Sequence, residues 1–200
     1  MKKNIKISSN TKKRLESTKI YIDGLFEIHS KINVLRFDVG YTKEYSKEMT
    51  TDDLNKDINH MFNNMRSNET LFGSKLGYII KREDGVEKGN HAHIILFCNG
   101  NEIQKGAYLI DKIGEYWKND ITQGRGSHHN CNRNTYTKNG TGMINYKDSE
   151  KREILLDHVA SYLCKDEDQH IKSTSDDKIN KSFTRGTLPK KKGNIGRPRG

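Results

Sequence analysis

Two hundred residues, 32% hydrophobic and 31% charged with a formal net charge of +10, provide for one substantial domain with a modest core. The cationic excess sits at the ends. Residues 1–20 hold seven basic side chains against one acid, and residues 184–200 six against none, so acids slightly outnumber bases in the body between. Such a distribution points to a polyanionic partner, nucleic acid first, and the absence of an apolar run after the basic start or of any run beyond residues 94–98 argues against a signal peptide and a membrane span.

In chain order, Leu15, Ile20, Ile22, Leu25 and Phe26 suggest an N-terminal helix that Gly24 interrupts. Residues 33–39 alternate with period two, placing Leu35, Phe37 and Val39 on one face and Val34, Arg36 and Asp38 on the other. Thr51 or Asp52 is expected to cap a helix with the apolar face Leu54, Ile58, Met61, Phe62 and Met65. A strand over residues 76–83, turn chemistry over 84–89 and a strand over 91–97 read as a hairpin. Ile103, Ala107, Ile110, Ile113 and Trp117 mark another helix, and the Gly/Asn-rich stretch 124–142 reads as a long loop. A brief strand over 143–146 then precedes a helix capped by Asp148 or Ser149 that runs to about Lys165.

This order, β-α-β-β-α-β with a helix appended, predicts an α+β fold of the ferredoxin-like or RRM-like kind: an antiparallel sheet with helices on one face and the other open. The expected organisation is a basic segment with a helix (1–30), a central domain (31–170) and a basic tail (171–200). Cys98, Cys131 and Cys164 form neither a CxxC zinc pattern nor a disulfide framework, which favours a reducing, cytoplasmic setting. No GxxxxGK[ST] stretch marks the chain as its own NTP-driven motor.

His91 and His93, two apart on one strand, leave the same face, and Glu83 joins them if the hairpin sets it opposite His91. One hard oxygen and two imidazoles, with coordination positions left for a phosphate, suit Mg²⁺ or Mn²⁺ as well as zinc. In the last helix Tyr162 and Lys165 share a face at i and i+3. A phenol with a pKa near ~10 needs a polarised target and a nearby cation to act as a nucleophile at neutral pH. Each pattern alone is ordinary: His-Ala-His as a half-exposed strand, Tyr162 as packing at a helix–sheet seam, Lys165 as a solvated cation.

Together, the hydrophobic strand Val34-Leu35-Arg36-Phe37-Asp38, the motif His91-Ala92-His93 with Glu83 upstream, and the helix bearing Tyr162 to Lys165 resemble the HUH endonucleases, the rolling-circle replication initiators, in the family's own order. A closer resemblance is to the YagK/YfjJ C-terminal-domain family, an inovirus-type replication protein group of prophages and satellite elements. It is carried by His29-Ser30-Lys31, Glu87-Lys88-Gly89, Ile113-Gly114-Glu115-Tyr116-Trp117, Asn130-Cys131-Asn132, Gly142-Met143-Ile144, Lys151-Arg152-Glu153 and the ending with Arg185-Gly186, Leu188-Pro189 and Gly196-Arg197-Pro198-Arg199.

The resemblance implies a metal held by Glu83, His91 and His93, Tyr162 as the nucleophile toward a DNA phosphodiester, and Lys165 in support. The implied enzyme is a single-tyrosine, metal-dependent endonuclease and strand transferase that starts rolling-circle replication of a phage or mobile element in a bacterial cytoplasm. Its partners would be single-stranded DNA or an origin hairpin, with a host helicase and polymerase, and no membrane. A DNA-binding regulator without catalysis is the alternative. Arg36, Arg125 and Arg133 are candidate DNA contacts in the body, with Asp38 able to orient a metal ligand. In the tail, Lys190, Lys191, Lys192, Arg197 and Arg199 supply charge, and residues 195–199 resemble half an AT-hook.

Overall fold

A computed structural model describes residues 7–165 and 182–188. Its frame is three long strands of eleven residues each, β1 (Lys31–Tyr41), β2 (Lys75–Gly85) and β3 (Gly89–Asn99). Shorter strands flank them: β4 (Gly126–Asn130), β5 (Gly142–Asn145) and β6 (Phe183–Arg185). All pair antiparallel in the order β4-β1-β3-β2-β6, with β5 also on β1. The first four strands therefore take the ferredoxin-like order 4-1-3-2, with α2 (Thr51–Asn64), followed by the short α3 (Glu69–Phe72), and α4 (Gly106–Tyr116) as the crossovers.

The alternation along β1 and β3 sorts the core into two layers. Leu35, Phe37 and Val39 of β1 and Ala92, Ile94 and Leu96 of β3 meet Leu54, Ile58 and Met61 of α2 and Ile110, Ile113 and Trp117 on the other side. Thus α2 and α4 share one face, as the sequence predicts. The opposite face carries a second layer, outside the β-α-β-β-α-β core. Ile32, Val34, Ile79, Ile95 and Phe97 are covered there by Tyr21, Ile22, Leu25 and Phe26 of α1 (Ser9–Ile28) and by Leu155, Val159 and Leu163 of the C-terminal helical segment. That segment joins α5 (Ser149–Ile154), a π turn (Leu155–Ala160) and α6 (Ser161–Cys164). Tyr162 of α6 carries this layer as far as His93, so that His91 and His93 at that end of the sheet are buried too.

Four sequence expectations are corrected. The fourth core strand is β4, inside the stretch read as a loop; residues 143–146 fall largely in β5, which extends the sheet beside it. β4 reads Gly-Ser-His-His-Asn and has no apolar alternation to reveal it. Its inward side chains are His128, whose ring lies 6.0 Å from Phe37, and the buried Asn130, which donates to the Ala107 carbonyl of α4. Helix α1 runs through Gly24 without a break, and an added Cβ there would stand 2.7 Å from Leu188, so the glycine admits a crossing segment. Ile20 is 62% exposed and not part of the helix's buried face. The cap of α2 is Thr50, in a reciprocal box with Asp53, one residue before the expected position.

Asn132 bridges the gap that β4 and β5 leave along β1. Its side-chain oxygen accepts from the Arg36 N–H (3.1 Å) and its amide donates to the Arg36 carbonyl (2.8 Å), so one amide replaces a missing strand residue. α1 packs on the sheet and β6 pairs with the edge of β2, so an early and a late segment of the chain meet on it. Among the described residues no helix is long and apolar enough to cross a membrane.

Candidate metal centre

The β2–β3 hairpin closes over three residues, and Gly85 pairs with Gly89. Gly89 has φ +62°, and a Cβ there would stand 2.4 Å from the Ser46 carbonyl oxygen, so this turn requires glycine. The register that follows puts Glu83 opposite His91 and Lys81 opposite His93. On the other side of β3, His93 pairs with Asp38, and Asp38 in turn pairs with His129 of β4. Lys81, His93, Asp38 and His129 thus form one row across four strands, on the face against which α1 and the C-terminal helical segment pack.

Each histidine is oriented from behind. His91 Nδ1 lies 2.9 Å from the Gly89 carbonyl oxygen, and His93 Nδ1 lies 2.7 Å from Asp38 Oδ1. Both rings therefore turn Nε2 toward Glu83, whose Oε2 is 3.5 Å from His91 Nε2 and 3.4 Å from His93 Nε2. His93 Nε2 is buried and has no hydrogen-bond partner. His91 fits between two glycines: a Cβ on Gly40 would lie 3.0 Å from His91 Cβ, and one on Gly85 3.2 Å from its Cε1.

These three side chains fit a cation. Their ligand atoms lie within 4.8 Å of one another. Ligands about 2.1 Å from an ion stand roughly 3.0–3.4 Å apart, close to the observed Glu83–histidine spacings. An orphaned, buried imidazole nitrogen aimed at a carboxylate, with a second carboxylate holding the ring's other nitrogen, is the arrangement a metal-binding histidine needs. One oxygen and two nitrogens leave several positions for water or a phosphate oxygen.

The charges are tightly coupled. The imidazoles of His91 and His93 facing it, with Lys81 on its other oxygen, hold the Glu83 carboxyl far below the usual range despite burial. Burial pushes His93 down, but the neighbouring Asp38 and Glu83 carboxylates outweigh it and raise its pKa. Burial likewise opposes, and the His93 bond overcomes, the charging of Asp38, whose carboxyl is lowered.

Tyr162 borders this cluster. Its ring meets His93 edge-on at 5.5 Å between centroids, with the Arg36 guanidinium 5.1 Å and the Lys81 ammonium 5.6 Å from the ring centre. Lys165 is exposed and follows the last helical turn, where the backbone becomes extended. The cations over the tyrosine are therefore Arg36 and Lys81. Lys81 was not singled out in the sequence, because a lysine in a strand reads as solvated; here it is 5% exposed. The signal was its place two residues before Glu83 on the same face.

The other candidates are dispersed. Arg125 donates to the Thr122 carbonyl (3.0 Å) and contacts Met49 Sδ, bracing the end of the helix that continues α4. Arg133 pairs bidentately with Asp111 of α4. Lys190, Lys191, Lys192, Arg197 and Arg199 lie outside the described residues.

Fold and site define an antiparallel α+β protein of ferredoxin-like strand order with a carboxylate–bis-histidine cation site beside a tyrosine. The chain belongs to the YagK/YfjJ C-terminal domain family, whose model matches residues 1–184. No curated protein and no solved structure matches it significantly.

Proposed function

We propose that this protein is a DNA nicking and joining enzyme of the HUH endonuclease type, acting with Mg²⁺ or Mn²⁺ to initiate rolling-circle replication of a phage or mobile element. One observation carries the reading: Glu83 Oε2 and the Nε2 atoms of His91 and His93 converge on one point, and the Tyr162 ring packs against His93. Glu83 Oε2, 3.4 Å away, is the acidic group nearest His93 Nε2, a spacing that suits two ligands of one ion, and a phenol beside the pair is what attack on a bound phosphate needs.

A bound divalent cation supplies Lewis-acid polarisation of the scissile phosphate and charge neutralisation. The chain's own residues do the rest. Asp38 and the Gly89 carbonyl fix both imidazoles in the tautomer that presents Nε2. Arg36 and Lys81, beside the ring, supply positive charge toward the attacked phosphate and so assist the attack. Tyr162 Oη forms a bond to phosphorus as the bond to the 3′ oxygen breaks. The phenol gives up its proton and the 3′ oxygen takes one, leaving a 5′-phosphotyrosine and a free 3′-OH. The reverse reaction rejoins a strand. With no NTP-binding loop in the chain, unwinding and synthesis fall to a host helicase and polymerase in the bacterial cytoplasm.

The test is a denaturing gel after mixing the protein with single-stranded oligonucleotides tiled across both strands of its element, in Mn²⁺. The expected result is a covalent protein–DNA band lost with EDTA and with Tyr162→Phe. Binding without any such band on every oligonucleotide overturns the reading in favour of a DNA-binding regulator.

A further inference from the structure

The row Lys81, His93, Asp38, His129 does not end at the metal ligands. Two interstrand spacings beyond β3, about 10 Å, His129 stands exposed on β4 on the same face as His93. It belongs to an ordered group. His129 Nε2 lies 3.1 Å from Asn134 Nδ2, and that same amide donates to Tyr136 Oη at 3.2 Å. Cys131, which interacts with Tyr136, contacts Asp38 Oδ1 at 3.8 Å. An imidazole, a carboxamide and a phenol ring 37% exposed are therefore linked through one cysteine to the carboxylate that orients His93.

The group is polar and aromatic. Of the two basic residues on its loop, Arg133 and Lys138, Arg133 is engaged by Asp111 of α4. What the loop offers beside the triad is aromatic surface and hydrogen-bonding edges, which suit bases, whereas the positive groups over Tyr162, Arg36 and Lys81, suit phosphate. The Asn132 amide, clamped to the β1 backbone on both its faces, fixes the start of this loop, so the platform is held and not merely tethered.

We infer that His129, Asn134 and Tyr136 form a nucleobase-binding subsite for single-stranded DNA, adjoining the metal centre, that stacks and reads a base next to the scissile phosphate. This rests on the reading that a DNA strand lies at Glu83, His91 and His93. A strand crossing the sheet along the row places its phosphate over the cation site and an unstacked neighbouring base over Tyr136. Sequence choice then comes from this loop, while the cationic ends add affinity without choice.

The experiment uses the full chain with Mn²⁺. A random-sequence single-stranded 20-mer pool is selected on wild type, Tyr136→Ala, Tyr136→Phe and His129→Ala, and the retained pools are sequenced; affinity for the best wild-type ligand follows from fluorescence anisotropy. Tyr136→Ala is expected to bind that ligand about tenfold more weakly and to lose the preference at one position, and His129→Ala to relax it. Tyr136→Phe should keep the affinity, since the ring stacks without its hydroxyl. Circular dichroism of the variants matching wild type excludes misfolding as the cause. Unchanged affinity and preference in both alanine variants overturn the subsite, as does a wild-type protein with no affinity for single strands. A Tyr136-dependent preference with no covalent adduct removes the nicking chemistry and leaves the subsite standing; an adduct formed with Tyr136-independent preference does the reverse.

Discussion

At the scale of single residues, the site is built from paired roles, and the partners predict the losses. Asp38 carries no metal-binding role itself, but it sets the His93 ring. Asp38→Asn is therefore expected to weaken Mn²⁺ binding roughly 10- to 100-fold by titration calorimetry, with the fold intact. Gly40→Ala acts through space. Its new Cβ meets His91 Cβ at 3.0 Å, so it should displace that ring and lower Mn²⁺ affinity. The placement of cations sets a comparison: Lys81→Met should reduce adduct formation more than Lys165→Ala, because Lys81 touches both Glu83 and the Tyr162 ring. Equal losses in the two variants would restore the assignment that the motif spacing suggests. Glu83, His91 and His93 were legible because the turn glycines fix the register, and Asp38 because strand parity fixes its face. Lys81 was not, since burial of a lysine depends on a carboxylate whose position only the paired strand reveals.

At the scale of elements, local chemistry announced most boundaries and missed where tertiary packing decides. The helix–strand order of residues 33–97 follows from periodicity alone. β4 did not, because an edge strand with polar side chains earns its place by backbone pairing to β1, which leaves no hydrophobic pattern. Gly24 looked like an interruption because its reason, the passage of Leu188, lies 164 positions away in the chain. The capping box makes a stability prediction: Thr50→Ala should cost about 1 kcal/mol in urea denaturation. The Thr50 side-chain hydrogen bond is the largest cause holding Asp53 below its usual range. The stability so gained is full above the ordinary aspartate range and fades as the pH falls through the lowered value, so the gap between wild type and Thr50→Ala should narrow in acid to what the Asp53 N–H bond to Thr50 Oγ1 contributes. Gly89→Ala, strained at φ +62° and blocked by Ser46, should destabilise more than the cap loss.

At the scale of the molecule, charge and sheet are separate instruments. Residues 189–200 carry five Lys and Arg and no acid. Truncation after Leu188 should therefore make the log–log salt slope for single-stranded DNA shallower by up to about 3.5, at about 0.7 per engaged cation. The base preference of the selected pool should not change. Burial pushes the Cys98 and Cys131 thiols up to about 11 and raises Cys164 as well. All three cysteines are buried and free. An aromatic disulfide reagent at pH 8 should therefore label the native protein slowly and the urea-unfolded protein at once.

The sheet's proportions have one more consequence. Its three central strands are eleven residues long, yet the strands that close it, β4, β5 and β6, have five, four and three. Long strands expose long ladders of unmet N–H and C=O groups, and a sheet that ended on β2 would present such a template to every other copy in solution. Three residues from the far end of the chain, Phe183, Thr184 and Arg185, stand on that ladder at Ile79, Ile80 and Lys81. Strand β6 is thus a stopper against self-association, and a protein cut before residue 182 should be found in fibrous or amorphous aggregates before it is found unfolded.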